Sequence, residues 1–150
     1  MSGTIIRPAR PADTPTIVRF NIALAEESEG LRLDSQTVEA GVRRMFSDPA
    51  LGRYFMAVSS TGERLGQLML TTEWSDWRNC MIWWLQSVYT APEHRGSGVF
   101  RALCEHVLGE AGEAECRVRL YVERGNSRAI AAYRALGFGH CGYDVMEHGA

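Results

Sequence analysis

The sequence predicts an α/β fold built on a mixed sheet, in the order β-α-α-β-β-β-α-β-α-β. Three observations carry this. RYFMAVSS, TGE and RLGQLMLTTEW read as strand, turn and strand, an antiparallel hairpin in the middle of the chain. CMIWWLQSVYT, nearly continuous in apolar and β-favouring residues, reads as a central strand covered on both faces. It passes through a short glycine loop into helical spacing and then into CRVRLYV, a strand-helix-strand unit whose crossover is expected to be parallel and right-handed.

The remaining elements follow in order. GTIIRPA is a short first strand. Ala12 to about Ser28 sets Ile17, Phe20, Ile22 and Leu24 among polar residues, an amphipathic helix entered through PADTP. Asp34 or Ser35 caps a second helix through Met45 and Phe46, which SDP stops. After the hairpin, the loop SDWRN and the central strand, a helix runs from about Gly98 to Ala111 with Leu103, Val107 and Leu108 on its apolar side. CRVRLYV is a strand, NSRAIAAYRALGF a short helix ending at Gly137, and HCGYDVMEH a final strand. No repeat, low-complexity tract or linker divides the chain, so residues 1–150 are expected to form one domain.

Composition excludes several kinds of function. At 150 residues and 45% hydrophobic, the chain suffices to bury a full core. A net charge of −2 argues against a nucleic-acid partner. Every basic residue is arginine, so a Walker-type loop and Schiff-base chemistry both lack their lysine. Cys80, Cys104, Cys116 and Cys141 lie far apart without C-x-x-C spacing, and the histidines form no cluster with them, so thiols in a reducing cytosol and no metal site are expected. The N-terminus holds no signal-like run and no segment reaches membrane-spanning length, so a cytoplasmic protein without a membrane partner is expected.

The stretch TAPEHRGSGVFRALCEHV carries the chemistry. A loop that leaves a central parallel strand and opens a helix lies where open α/β sheets bind ligands. Its free helical amides carry partial positive charge, Gly96 and Gly98 let neighbouring amides converge, and Arg95 adds a fixed cation. A phosphate or diphosphate is the fitting guest, although a glycine pair alone also fits a plain turn. The dinucleotide fingerprint G-x-G-x-x-G fails, because its third glycine is Arg101.

Arg95-Gly96-Ser97-Gly98-Val99 resembles motif A of the GNAT superfamily of acyl-CoA N-acyltransferases, (Q/R)-x-x-G-x-(G/A). NSRAIAAYRALGF independently resembles the family pattern N-x-x-A-x-x-x-Y-x-x-x-G-F, with Asn126, Ala129, Tyr133, Gly137 and Phe138 in place. Element order agrees along the chain. The resemblance implies an acetyl-CoA-dependent N-acetyltransferase acting by direct transfer in a ternary complex. It implies that the amides from Arg95 through Phe100 (Gly96, Ser97, Gly98 and Val99 between) hold the acetyl-CoA diphosphate. Val88, Tyr89 and Thr90, on a strand bulged away from its parallel neighbour, would pair with the pantetheine arm, and Asn126 would bond the same arm. The Val88 amide would face the oxyanion, and Tyr133 would be the general acid for the departing thiolate.

A base is also needed. Gln86 stands where many family members place a Glu, which leaves Glu26, Glu27, Glu29 and Glu73 as candidates, Glu27 first. Phe100 departs from the small final residue of motif A, and the chain has room for only one strand after the last helix. The open edge is then incomplete or completed in a homodimer. Trp83 and Trp84 point to opposite faces, and Trp74 and Trp77 are candidates for an acceptor pocket. The expected acceptor is a small-molecule amine or amino-acid-like compound. A non-catalytic acyl-CoA-binding module is the alternative that Gln86 and Phe100 motivate.

Overall fold

The computed structural model describes residues 3–149. Strands β1 (Ile5–Pro8), β2 (Arg53–Val58), β3 (Arg64–Ser75), β4 (Cys80–Thr90) and β5 (Arg117–Leu120) form one sheet in sequence order. The pairs from β1 to β4 are antiparallel, and β4 pairs with β5 in parallel. The helices are α1 (Thr14–Glu29), α2 (Ser35–Ser47), α3 (Val99–Glu113) and α4 (Ser127–Ala135). The expected mixed sheet and hairpin are present.

The sheet is covered on both faces, and the strand sequences show why. In β2, Tyr54, Met56 and Val58 join a cluster with Ile17 and Phe20 of α1 and Val42 and Met45 of α2. The alternate residues Phe55 and Ala57 join Leu103, Cys104 and Val107 of α3 on the opposite face. A strand buried on both sides loses the polar alternation of a half-exposed one. The α2 N-cap is Asp34, whose side chain accepts from the Thr37 amide at 2.9 Å.

Asp13 fastens the entry to α1. Its buried carboxylate accepts from both terminal nitrogens of Arg7 (2.8 and 3.0 Å), from Arg64 Nε (2.7 Å) and from the Arg10 amide (2.7 Å). One side chain thereby joins β1, β3 and the start of the first helix. Burial works against its ionisation, but these donors prevail and hold the carboxyl below the usual range.

Two expectations are corrected. CRVRLYV is a strand only over Arg117–Leu120, and the HCGYDVMEH segment forms no strand. The final segment pairs with no strand among the described residues, Gly142 takes φ +84°, and Tyr143, Val145 and Met146 stand exposed. The described order is therefore β-α-α-β-β-β-α-β-α, and β5 is an open edge. No helix among the described residues is long and apolar enough to cross a membrane.

Candidate active site

The site is organised by a defect in β4. Gln67 of β3 pairs with Tyr89 and Met69 with Gln86, so Leu68 alone faces both Ser87 and Val88. This bulge sits with Ser87 at φ +51°, in the left-handed region a serine seldom occupies. On the other side, β4 and β5 stay paired only up to Leu85 and Leu120, so Val88, Tyr89 and Thr90 have no strand on that flank. Splaying of two parallel strands thus leaves backbone groups free in mid-sheet.

A cavity of about 720 Å³ opens along this gap, in the usual range for small-ligand sites. Glu27, Val88, Tyr89, Thr90, Arg95, Gly96, Gly98, Val99, Phe100, Asn126 and Tyr133 all contribute to its wall. Gly96 and Gly98 take φ +80° and +89°, a backbone an L side chain rarely adopts. The first helical bond of α3 runs from the Ala102 amide to the Gly98 carbonyl. The amides of residues 98–101 therefore emerge from the helix end without an intrahelical acceptor. Free amides, a positive helix end and Arg95 together fit a diphosphate. Ser97 does not line the cavity, because its hydroxyl bonds back to the His94 carbonyl.

Asn126 caps α4, its Oδ1 accepting from the Ala129 amide at 3.1 Å, so its Nδ2 is the donor left for a ligand. Tyr133 sits between Phe100 (ring centroids 5.4 Å) and Phe138 (5.5 Å), both edge-on. Burial, with Cys104 nearby, raises its pKa above the ordinary phenol value. Phe100 therefore packs on Tyr133 and the α3 core as well as touching the cavity.

Glu27 reaches across from α1. It accepts from the Tyr89 hydroxyl at 2.6 Å and from Arg95 Nη2 at 2.7 Å. Those two donors, Tyr89 first, lower its pKa, so its carboxylate is a poorer proton acceptor than a free one. Tyr89 responds in the opposite sense: burial and then the Glu27 contact push it up to about 12. Arg95 is further held by its Nε bond to the Thr90 carbonyl at 3.0 Å and lies over the Tyr89 ring.

A second cavity of about 590 Å³ lies on the α1/α2 side and includes Gln86, Ser87 and Glu29. Ser87 faces this cavity and its neighbour Val88 the first, so the bulge separates the two, and Leu24 borders both. Beneath the bulge is a polar network with no counterpart in the sequence reading. Gln67 Nε2 donates to Asn21 Oδ1 (2.8 Å) and to the Ser87 carbonyl (3.2 Å), and Asn21 Nδ2 donates to the Tyr54 hydroxyl (2.9 Å). Gln67 Oε1 is sealed without a partner. A glutamine inside the apolar run RLGQLMLT, and an asparagine on the apolar side of α1, were the available signals.

The remaining expected residues fall elsewhere. Glu73 accepts from Trp84 Nε1 at 2.9 Å, and Glu26 lines neither cavity. Trp74 and Trp77 also line neither: the hairpin carries them outward, 59% and 85% exposed. Trp83 and Trp84 separate as expected, one beneath Arg53 on the α3 face and the other stacked on Tyr121.

A family model described as the acetyltransferase (GNAT) family matches residues 20–138. The chain belongs to the GNAT acetyltransferase family. A solved structure described as a possible acetyltransferase from Clostridium difficile 630 is 36% identical, with 99% of each chain covered and a TM-score of 0.92. Streptothricin acetyltransferase of Streptomyces lavendulae is 34% identical over 98 residues, 65% of this chain. The chain spans 50% of that relative's length. Thialysine N-epsilon-acetyltransferase of Bos taurus is 28% identical over 148 residues, covering 91% of this chain and 85% of that one. The matched GNAT region contains both cavities' β4 walls, the glycine loop and Tyr133.

Proposed function

We propose that this GNAT protein transfers the acetyl group of acetyl-CoA to the primary amine of a small molecule by direct attack in a ternary complex. The observation that carries the reading is the meeting of two cavities, from opposite sides, at the Ser87–Val88 bulge. One is built for a diphosphate-bearing chain, and the other leaves room for a second reactant. A double displacement through a thioester intermediate would need a cysteine thiolate at that junction. Of the cysteines, Cys104 is buried under α3 with its thiol pushed up to about 12, and no cysteine lines either cavity.

Acetyl-CoA supplies the activated thioester. The free amides at Gly98–Arg101, with Gly96 and Arg95, hold the diphosphate, and the unpaired flank of Val88–Thr90 and Asn126 Nδ2 hold the arm. The Val88 amide meets the negative charge that develops on the carbonyl oxygen as the amine nitrogen attacks carbon. The carbon–sulfur bond breaks, Tyr133 supplies the proton that the departing thiolate takes up, and the proton shed by the acylated nitrogen returns through water to the phenolate. Glu27 positions Arg95 and Tyr89. Its lowered pKa supports that task over base catalysis, so the acceptor enters as free amine with its proton lost to water.

The test is release of free thiol from acetyl-CoA with candidate amines, with mass spectrometry of the product. Amine-dependent thiol release with a mass gain of one acetyl group is expected. Tight acetyl-CoA binding without release over a broad amine panel would instead support a non-catalytic acyl-CoA module.

A further inference from the structure

Resting on the acetyl-transfer reading above, we propose that the acceptor is a primary amine carried on an apolar body without a carboxylate. The α1/α2-side cavity is polar at one end and greasy along its length. Asn21, Tyr54, Gln86 and Ser87 gather at the bulge, where the amine must arrive. Gln86 Nε2 is taken by Thr71 Oγ1 at 2.6 Å, so its Oε1 is the atom left to accept from an incoming N–H. Tyr54 is 5% exposed and already accepts from Asn21.

Away from that end the wall is formed by Leu24, Leu33, Val38, Val42, Met45 and Met69. Tyr121, stacked on Trp84 at 4.5 Å, adds an aromatic surface. No arginine or histidine lines the cavity, and the one charged residue in its wall is the exposed Glu29. A carboxylate on the acceptor would be stripped of water against aliphatic groups with no cation to receive it, and would face the like charge of Glu29 at the rim. A neutral chain gains from the same surface with every methylene it buries.

Kinetics on an alkylamine series read this directly. From propylamine to hexylamine, kcat/KM is expected to rise about fourfold per methylene. Hexylamine should exceed 6-aminohexanoate, its carboxylate-bearing analogue, by tenfold or more. Calorimetric titration of both compounds into the CoA-saturated protein reads the same preference without turnover. Leu33→Arg, in the connection between α1 and α2, places a cation in the wall and should narrow or invert the ratio. A flat chain-length series, or 6-aminohexanoate that binds as well as hexylamine (neither binding included), overturns the proposal. Absence of turnover with any amine, while the titrations still favour hexylamine, would sink the transfer reading and leave the cavity's preference standing.

Discussion

At Tyr133 the phenol is buried between two rings, which keeps it protonated but makes it a weaker acid. It therefore stays protonated over the whole working range, and in the proposed role any loss of rate from its ionisation should begin only above about pH 10, the unperturbed phenol value. Tyr133→Phe keeps the packing and removes the proton. We expect kcat to fall by about 10²-fold or more while acetyl-CoA affinity holds, as steady-state kinetics and calorimetry would show. An unchanged kcat would make Tyr133 a packing residue. Gln67 presents a different case, since its Nε2 serves two acceptors while its Oε1 serves none. In Gln67→Glu, a carboxylate would face those same acceptors in a sealed site. Its pKa would rise, so the loss of stability should grow as pH rises through the normal glutamate range. At pH 8 it should reach about 2–4 kcal/mol in denaturant titrations.

Among the elements, the loop from Arg95 to Gly98 with the head of α3 is the part most exposed to single changes. Gly98 is the helix N-cap in the left-handed region, and no neighbouring atom would meet a Cβ there. Gly98→Ala therefore suffers from backbone strain rather than collision, about 1–2 kcal/mol. Either the helix bears that strain or the amides turn away from the position proposed for the diphosphate. Calorimetry should find acetyl-CoA affinity reduced about tenfold or the protein less stable by that amount, and neither change would count against the loop's role. Two features of these elements were legible in the sequence for physical reasons. Glycine spacing reports backbone conformation locally, and Asp34 caps through a bond only three residues long. The last strand was misread because apolar alternation in HCGYDVMEH shows that a segment can pair, and nothing local shows whether it will join the open edge of β5.

Across the whole molecule, two linkages should show in stability. Asp13 has a native pKa depressed below its unfolded value of about 3.9. Its contribution is thus complete above about pH 4 and is lost as pH falls through the native value. Asp13→Asn should lower stability at pH 7 by about 2–3 kcal/mol, less than for a fully sealed pair because Arg64 is partly exposed, and should flatten the acid limb. Acetyl-CoA should raise the melting temperature in proportion to the logarithm of its concentration. The acceptor supplies a third dependence. If, as proposed, no protein base takes part, log kcat/KM should climb with near-unit slope from pH 7 to 9 as the free amine fraction grows. A plateau below pH 8 would reveal a titrating base in the protein.

The sequence by itself determined the mixed α/β architecture, the antiparallel hairpin, the glycine loop and the spacing that sets Asn126 and Tyr133 on one short helix. Each depends on short-range periodicity or on backbone demands within a few residues. Only the tertiary structure decided that Glu27 spends its carboxylate on Tyr89 and Arg95, residues 62 and 68 positions away. It alone decided that Trp74 and Trp77 turn outward, and that Asn21, Tyr54 and Gln67 meet under the bulge. Those contacts join side chains from separate strands and helices. Their chemistry follows from which surfaces the folded sheet brings face to face, information that no local pattern carries.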